Sequence, residues 1–162
     1  MQAKPVMLLA MLLVYVVVFA VSPSAEAAQE GKWDNTSCWA GELWTITHSK
    51  QHLAGTYNIT GTSRSNLPGN DLLRSFQCAG VWSDIEGKLT GNGYCETVAA
   101  GDKIFSKTSR VGSTSTTTLL HGTGRFAGIS GSGTSESMGR FPTVREGKIQ
   151  GCGRGKGTWK LP

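Results

Sequence analysis

Glu42 and His48 are the residues whose types and spacing come nearest to acid–base or ligand-orienting chemistry. They lie in the segment GELWTITH, where two sets of side chains alternate as they do along a β-strand. Because Trp44 and Ile46 belong to the same set, we expect this face to point inward. The carboxylate and the imidazole, roughly 20 Å apart in an extended strand, could then act separately on a ligand at a pocket mouth. The alternative is that both lie at a solvated rim.

A metal site and a nucleotide site are both disfavoured by the surrounding sequence. His48 and His52 have helical metal-ligand spacing, but HSKQH is typical of a hairpin turn, and no third ligand accompanies them. The segment GTGRFAG lacks the Lys-Ser or Lys-Thr of a phosphate loop, and no helix is predicted after it. No G-x-S-x-G elbow occurs either. We therefore assign no catalytic residue and expect no metal and no cofactor.

The beginning of the chain predicts export. Residues 6–21 form an unbroken apolar run, and Ala25 and Ala27 then frame a small-residue cleavage site. The run of 16 residues is shorter than the roughly 20 that a membrane-spanning helix needs, which disfavours an uncleaved anchor. We expect a signal peptide at 1–27, a single domain at 28–162, and a periplasmic or secreted protein without a stable membrane anchor.

The four cysteines predict two disulfides, because an even number in an exported chain is typical of a disulfide framework. Three pairings are possible. We favour Cys78–Cys95, which would join neighbouring strands, with Cys38–Cys152 joining the start of the domain to its end. If Cys95 faces inward toward Cys78, Glu96 faces outward.

The net charge of +5 comes from lysines and arginines that are scattered singly along the chain. No block of like charges forms a basic patch. Nucleic acid is therefore not an expected partner, whereas a small apolar ligand and an envelope protein both remain open.

The pattern of the mature chain favours an all-β fold. Glycines recur every few residues, and the segments between them alternate in polarity and end at turn signals. Short connections between consecutive strands indicate an eight-stranded antiparallel up-and-down barrel, whose interior is filled or holds one small ligand. The predicted strands are 42–49, 53–62, 74–82, 87–98, 103–110, 114–121, 125–137 and 145–160.

Aromatic residues on the predicted inward faces would form the interior. Phe76, Cys78 and Trp82 share one face of their strand, and Tyr57 shares a face with Gly55. Glycines within strands leave room for large side chains opposite. The predicted ligand site consists of Glu42, Trp44, His48, Tyr57, Phe76, Trp82 and Phe126.

The segment HGTGRFAGISGSG resembles the Gly-Thr-Gly-x-Phe signature of the allene oxide cyclase and dirigent barrels. The matching residues are Gly122, Thr123, Gly124 and Phe126. This resemblance implies an eight-stranded, calycin-type antiparallel barrel, as in exported bacterial proteins of unassigned role that are similar to this type. The acidic residues that the cyclase and the dirigent proteins use have no matching position here.

The sequence thus leads to a hypothesis of ligand binding without catalysis. The protein would hold a small, mostly apolar molecule in the barrel, or an envelope partner on its outside, with Glu42 and His48 orienting the ligand. One alternative is a cyclase-like or isomerase-like enzyme that uses Glu42 as a buried carboxylate. Another is an accessory subunit of an envelope complex with a filled barrel.

Overall fold

The computed structural model of the chain describes residues 28–69, 72–143 and 145–162. The predicted signal peptide at 1–27 lies outside them, and in these three ranges no helix is long and apolar enough to cross a membrane. The described part forms eight strands and one short 3₁₀ helix. The strands are β1 (Gln29–Ser49), β2 (His52–Ser65), β3 (Leu73–Ile85), β4 (Lys88–Ala99), β5 (Asp102–Val111), β6 (Thr114–Gly122), β7 (Ser130–Arg140) and β8 (Lys148–Leu161), and the 3₁₀ helix is Gly124–Phe126.

Each strand pairs antiparallel with the next, and β8 pairs with β1, so the sheet closes into a barrel. This confirms the predicted all-β, up-and-down architecture. A path that starts at Trp33 of β1 and steps from each residue to its paired residue on the next strand returns to β1 after one circuit of the barrel. It arrives at Leu43, ten residues further along the strand. With a rise of about 3.3 Å per residue and a strand spacing of about 4.8 Å, this offset tilts the strands by about 40°, as is usual for barrels.

The first strand begins at Gln29 rather than at residue 42, and this extension decides which side chains enter the barrel. Trp33 and Trp39 of the added part line the barrel interior. Leu43 is also odd-numbered, and it pairs with Tyr57. The hydroxyl group of Tyr57 lies beside the backbone of Gly93, which faces inward. The odd-numbered residues of β1 therefore point inward.

The predicted inward face of β1 is consequently wrong. Trp44 and Ile46 lie on the outer surface, with 55% and 75% of their surface exposed. The alternation itself was predicted correctly, but a shift of one residue exchanges the two faces of a strand. Trp44 and Ile46 do not mark the core, and the tryptophans that do, Trp33 and Trp39, precede the predicted strand. Glu42 and His48 share the outer face with them.

Strand β8 supplies a wall of glycines for the tryptophans of β1. A methyl group at Gly157 would come within 2.7 Å of Trp33 Cε2, and one at Gly153 would come within 3.3 Å of Trp39 Cζ3. These rings lie against β8 because its inward positions carry no side chain. The inward glycines of β8 are Gly151, Gly153, Gly155 and Gly157, and outward residues such as Arg154 and Lys156 alternate with them.

The predicted strand 125–137 begins later than expected, at Ser130. The connection before it turns through the 3₁₀ helix, because Gly124 and Gly128 adopt φ values of +53° and +75°, which glycine tolerates and a strand does not use. This connection folds over the end of the barrel near Pro162, whose ring lies beside Gly128. Phe126 lines the lumen there, and Ile129 is buried.

Both favoured disulfide pairings are confirmed, and they lie on opposite sides of the barrel wall. Cys38 is exposed, and its bond to Cys152 joins β1 and β8 on the outside, at the closure of the barrel. Cys78 and Cys95 are buried and line the lumen. Each bond joins directly opposed residues of two antiparallel strands, with Cα atoms 4.1 Å apart.

Candidate functional site

The lumen of the barrel contains a cavity of about 300 Å³. In the part of the chain that the structure describes, no large side chain is completely buried, and the buried apolar residues are Cys78, Cys95, Ala99 and Ile129. The interior is therefore hollow rather than packed solid. The walls are mainly apolar and aromatic, with contributions from Trp33, Trp39, Phe76, Ile104, Leu119, Phe126 and Trp159.

Small hydroxyl groups and one amide interrupt these apolar walls. Ser63 and Ser106 are almost fully buried, with 4% and 6% of their surfaces exposed. Asn35 Nδ2 donates a hydrogen bond of 2.8 Å to Ser63 Oγ. Ten serine and threonine residues line the cavity in all, so its apolar surface is accompanied by hydroxyl groups that could fix the orientation of a ligand.

Arg74 is the most unusual residue of the cavity wall. It is half-buried at the start of β3, and its Nε is buried without a hydrogen-bond partner. Burial lowers the pKa of its guanidinium group from the ordinary value, although an arginine remains charged at neutral pH. A positively charged side chain thus borders the lumen, and its Nε–H group donates no hydrogen bond.

Arg110 is a second cation of the wall, but it already has a partner. Its Nε donates a hydrogen bond of 2.8 Å to the carbonyl oxygen of Gly112, in the turn that joins β5 to β6. Burial is the main cause that lowers the pKa of Arg110; repulsion from Arg140 adds to it, and the phenol of Tyr57 opposes it. We assign Arg110 a structural role at this turn.

The described buried side-chain atoms without hydrogen-bond partners are all N–H donors. They are the indole Nε1 atoms of Trp33 and Trp82 and the Nε of Arg74. Trp33 and Arg74 both border the cavity. Buried polar groups are nearly always satisfied in folded proteins, so this wall is suited to a ligand that brings acceptor atoms.

Four of the predicted site residues point into the barrel. Phe76 and Phe126 line the cavity itself. Tyr57 and Trp82 face inward nearer the end that carries the β1–β2 hairpin, and both lie against glycines. A methyl group at Gly93 would overlap Tyr57 Oη, and Trp82 Nε1 lies 3.1 Å from the equivalent position at Gly55. Tyr57 and Trp82 fill the hairpin end of the lumen, so the open cavity lies toward the opposite end of the barrel.

The other three predicted site residues lie outside. Trp44 is exposed, Glu42 forms an ion pair with Lys148 across the outer face of β1 and β8, and the ring of His48 lies 6.2 Å from that of His52 at the hairpin. Among the residues described, no group of three His, Cys, Asp or Glu side chains is arranged to hold a metal ion. The structure does not bring Glu42 and His48 to the cavity.

Sequence reasoning missed Trp33, Trp39, Arg74 and Trp159. A signal was present in the segment WDNTSCW, in which Trp33, Asn35, Ser37 and Trp39 share one face at a spacing of two. The run GCGRGKG, with a glycine at every second position, marks the wall that accepts these rings. Arg74 gave no signal, because a single arginine within a strand is ordinarily exposed.

Comparison with known proteins supports the fold only. The sequence matches no family model and no curated protein. Among solved structures, the barrel is similar to the pterocarpan synthase dirigent protein GePTS1, with a TM-score of 0.50, 8% sequence identity, and coverage of 86% of this chain and 88% of that chain. This chain therefore has a dirigent-type eight-stranded barrel fold.

Proposed function

We propose that this protein is an exported binding protein that holds one small, mostly apolar molecule in the barrel lumen. The observation that carries the proposal is the cavity of about 300 Å³ with aromatic walls. This volume is at the lower end of the range for small-molecule sites, about 300–1,000 Å³. A compact ligand with one or two rings fits such a space.

The lining of the cavity favours binding over catalysis. Glu42, the carboxylate on which the cyclase-like alternative depended, is outside the barrel in an ion pair with Lys148. Glu136 is the acidic residue among the described lining residues, and its pairing with the outward Arg154 directs its side chain away from the lumen. An enzyme that moves protons needs an acid or base within reach of its substrate.

The hollow interior also disfavours the alternative of an accessory subunit with a filled barrel. Trp33 and Trp39 lie against the glycines of β8 instead of crossing the lumen. Space that a purely structural barrel would fill, at a gain in packing energy, is left open here.

We place the protein in the periplasm or outside the cell. Two disulfides are consistent with an oxidising compartment, and the apolar run at residues 6–21 supports export.

The test is native mass spectrometry of protein purified from its own host, followed by release of any ligand under denaturing conditions. We expect a bound small molecule in wild type and in Trp44→Leu, whose altered side chain is on the outer surface. We expect its loss in Trp39→Leu, which changes the cavity wall.

Equal retention in both tryptophan variants would place the ligand outside the lumen. Failure of the purified protein to bind any member of a panel of small aromatic compounds, together with an empty protein from the host, would contradict the proposed function.

A further inference from the structure

We propose that the ligand is an aromatic anion whose carboxylate-type group binds Arg74, with Ser63 and Asn35 completing the anion site. This inference rests on the proposed function, because it specifies the chemistry of the molecule that the lumen holds. It assigns the charged group to one end of the cavity and the aromatic body to the walls beside it.

The backbone pairing brings these polar groups together. Arg74 pairs with Ser63 of the neighbouring strand β2, and Ser63 pairs with Ser37 of β1. Asn35 donates to Ser63 Oγ, which leaves the hydroxyl hydrogen of Ser63 available for an acceptor. The guanidinium, the hydroxyl and the amide thus form one polar cluster toward the end of the barrel where β2 ends and β3 begins.

No carboxylate of the described residues compensates the charge of Arg74. The ion pairs that the structure describes lie on the outside, and none includes this guanidinium; they are Glu30–Lys160, Asp34–Arg154, Glu42–Lys148, Glu96–Lys103 and Asp102–Arg125. A partly buried cation with an unused donor is unfavourable unless an anion or an acceptor is supplied. A carboxylate supplies both, because it accepts two hydrogen bonds from a guanidinium.

The aromatic body of the ligand follows from what surrounds this cluster. Phe76 is the next inward residue after Arg74 on β3. Trp33 lies on the opposite wall of the lumen, because its ring contacts Gly133 of β7, which is four strands away from β3 in the eight-stranded barrel. Its Nε1 lacks a partner and can donate to a second acceptor on the ligand. A flat molecule between Phe76 and Trp33 would reach Arg74 with its anionic end.

The test uses two probes of the same shape, the naphthoate anion and the neutral naphthamide, titrated calorimetrically into the intact protein. We expect wild type to bind the anion more tightly by about 10-fold to 100-fold, as for a hydrogen bond to a charged group. We expect Arg74→Gln to lose this preference while keeping affinity for the amide. Lys107→Gln is the matched control, because it removes the same charge from an exposed position on the outside of β5.

Each outcome decides a separate point. Equal binding of both probes to wild type would refute the anion site and leave the proposed function intact, whereas binding of neither probe would count against the proposed function for aromatic ligands. A preference that survives Arg74→Gln but disappears in Arg110→Gln would overturn the assignment to Arg74. A preference abolished by about 1 M salt would indicate adsorption to the surface, since exposed charges are screened over about 3 Å at that concentration.

A second measurement excludes a merely structural role for Arg74. The ligand-free Arg74→Met variant should melt no lower than wild type, because it removes a partly desolvated cation that has no partner. Added naphthoate should raise the melting temperature of wild type clearly more than that of the variant, whereas naphthamide should raise both equally. A variant that unfolds well below wild type without ligand would show that Arg74 supports the barrel itself and would overturn the inference.

Discussion

The disulfide that closes the barrel from outside should contribute more to stability than any single packing contact. Cys38 and Cys152 are 114 residues apart in sequence, so their bond restricts nearly the whole described chain in the unfolded state. The chain-entropy relation gives about 5 kcal/mol for a loop of this length. Cys38 is exposed, so replacing the pair with serines removes little packing. The double variant Cys38→Ser with Cys152→Ser should therefore lose about 5 kcal/mol.

The free energy of unfolding in urea measures this loss, with the dependence on urea concentration as a second observable. The slope should increase in the variant, because an unfolded chain without the crosslink exposes more surface. The Cys78–Cys95 bond is the internal comparison: its separation of 17 residues gives about 3 kcal/mol from the same relation, plus the packing of its buried sulfurs.

A loss below about 2 kcal/mol with an unchanged slope would refute the reasoning for the outer bond. It would mean that the unfolded chain is already compact, and that the bond does not act through the entropy of the unfolded state. A mild reductant gives an independent check, since Cys38–Cys152 should be reduced before the bond that faces the lumen.

Three further predictions test the wall, the end connection and the outer face. Gly31→Ala should cost about 1–3 kcal/mol of unfolding free energy, because the new methyl group would lie 2.7 Å from Trp159 Cζ2; Trp159→Leu in the same chain should recover much of this loss in a double-mutant cycle. Hydrogen bonds from Arg125 lower the pKa of Asp102, so their stabilisation is complete above the ordinary carboxyl pKa and is lost as the pH falls through the lowered value; Asp102→Asn should flatten the stability profile below about pH 4. Trp44→Ser should change the unfolding free energy by less than about 0.5 kcal/mol, and a larger loss would contradict its exposure.

The barrel was predictable because its signals are local. Short turns between alternating segments determine an up-and-down order, and two cysteines near the ends of the domain favour a bond where the barrel closes. The predicted strand 74–82 placed Phe76, Cys78 and Trp82 on one face, and the structure has all three inside. Clear turn residues precede and follow this strand, so the set of side chains that faces inward could be predicted from the sequence of the strand alone.

The site was less predictable because the inward face of β1 depends on residues outside the predicted segment. Between Trp33 and Trp39 the inward positions are occupied by Asn35 and Ser37, so the alternation of apolar and polar residues that identifies a half-buried strand is absent there. At the other end of β1, Trp44 and Ile46 are apolar yet exposed. Hydrophobicity alone therefore predicted the wrong set of alternating side chains as the inward face of β1.

Glycine placement, rather than the number of aromatic residues, keeps the lumen open. Five tryptophans could fill a barrel of this size, but Trp33 and Trp39 lie against positions of β8 that carry no side chain. Each missing side chain moves a ring toward the wall by about the thickness of a methyl group and returns that space to the lumen. Larger residues at Gly153 and Gly157 would push the rings inward, so a variant with alanine at both positions should lose ligand affinity together with stability. If such a variant kept full affinity, the cavity would not be the binding site, because its width depends on these two positions.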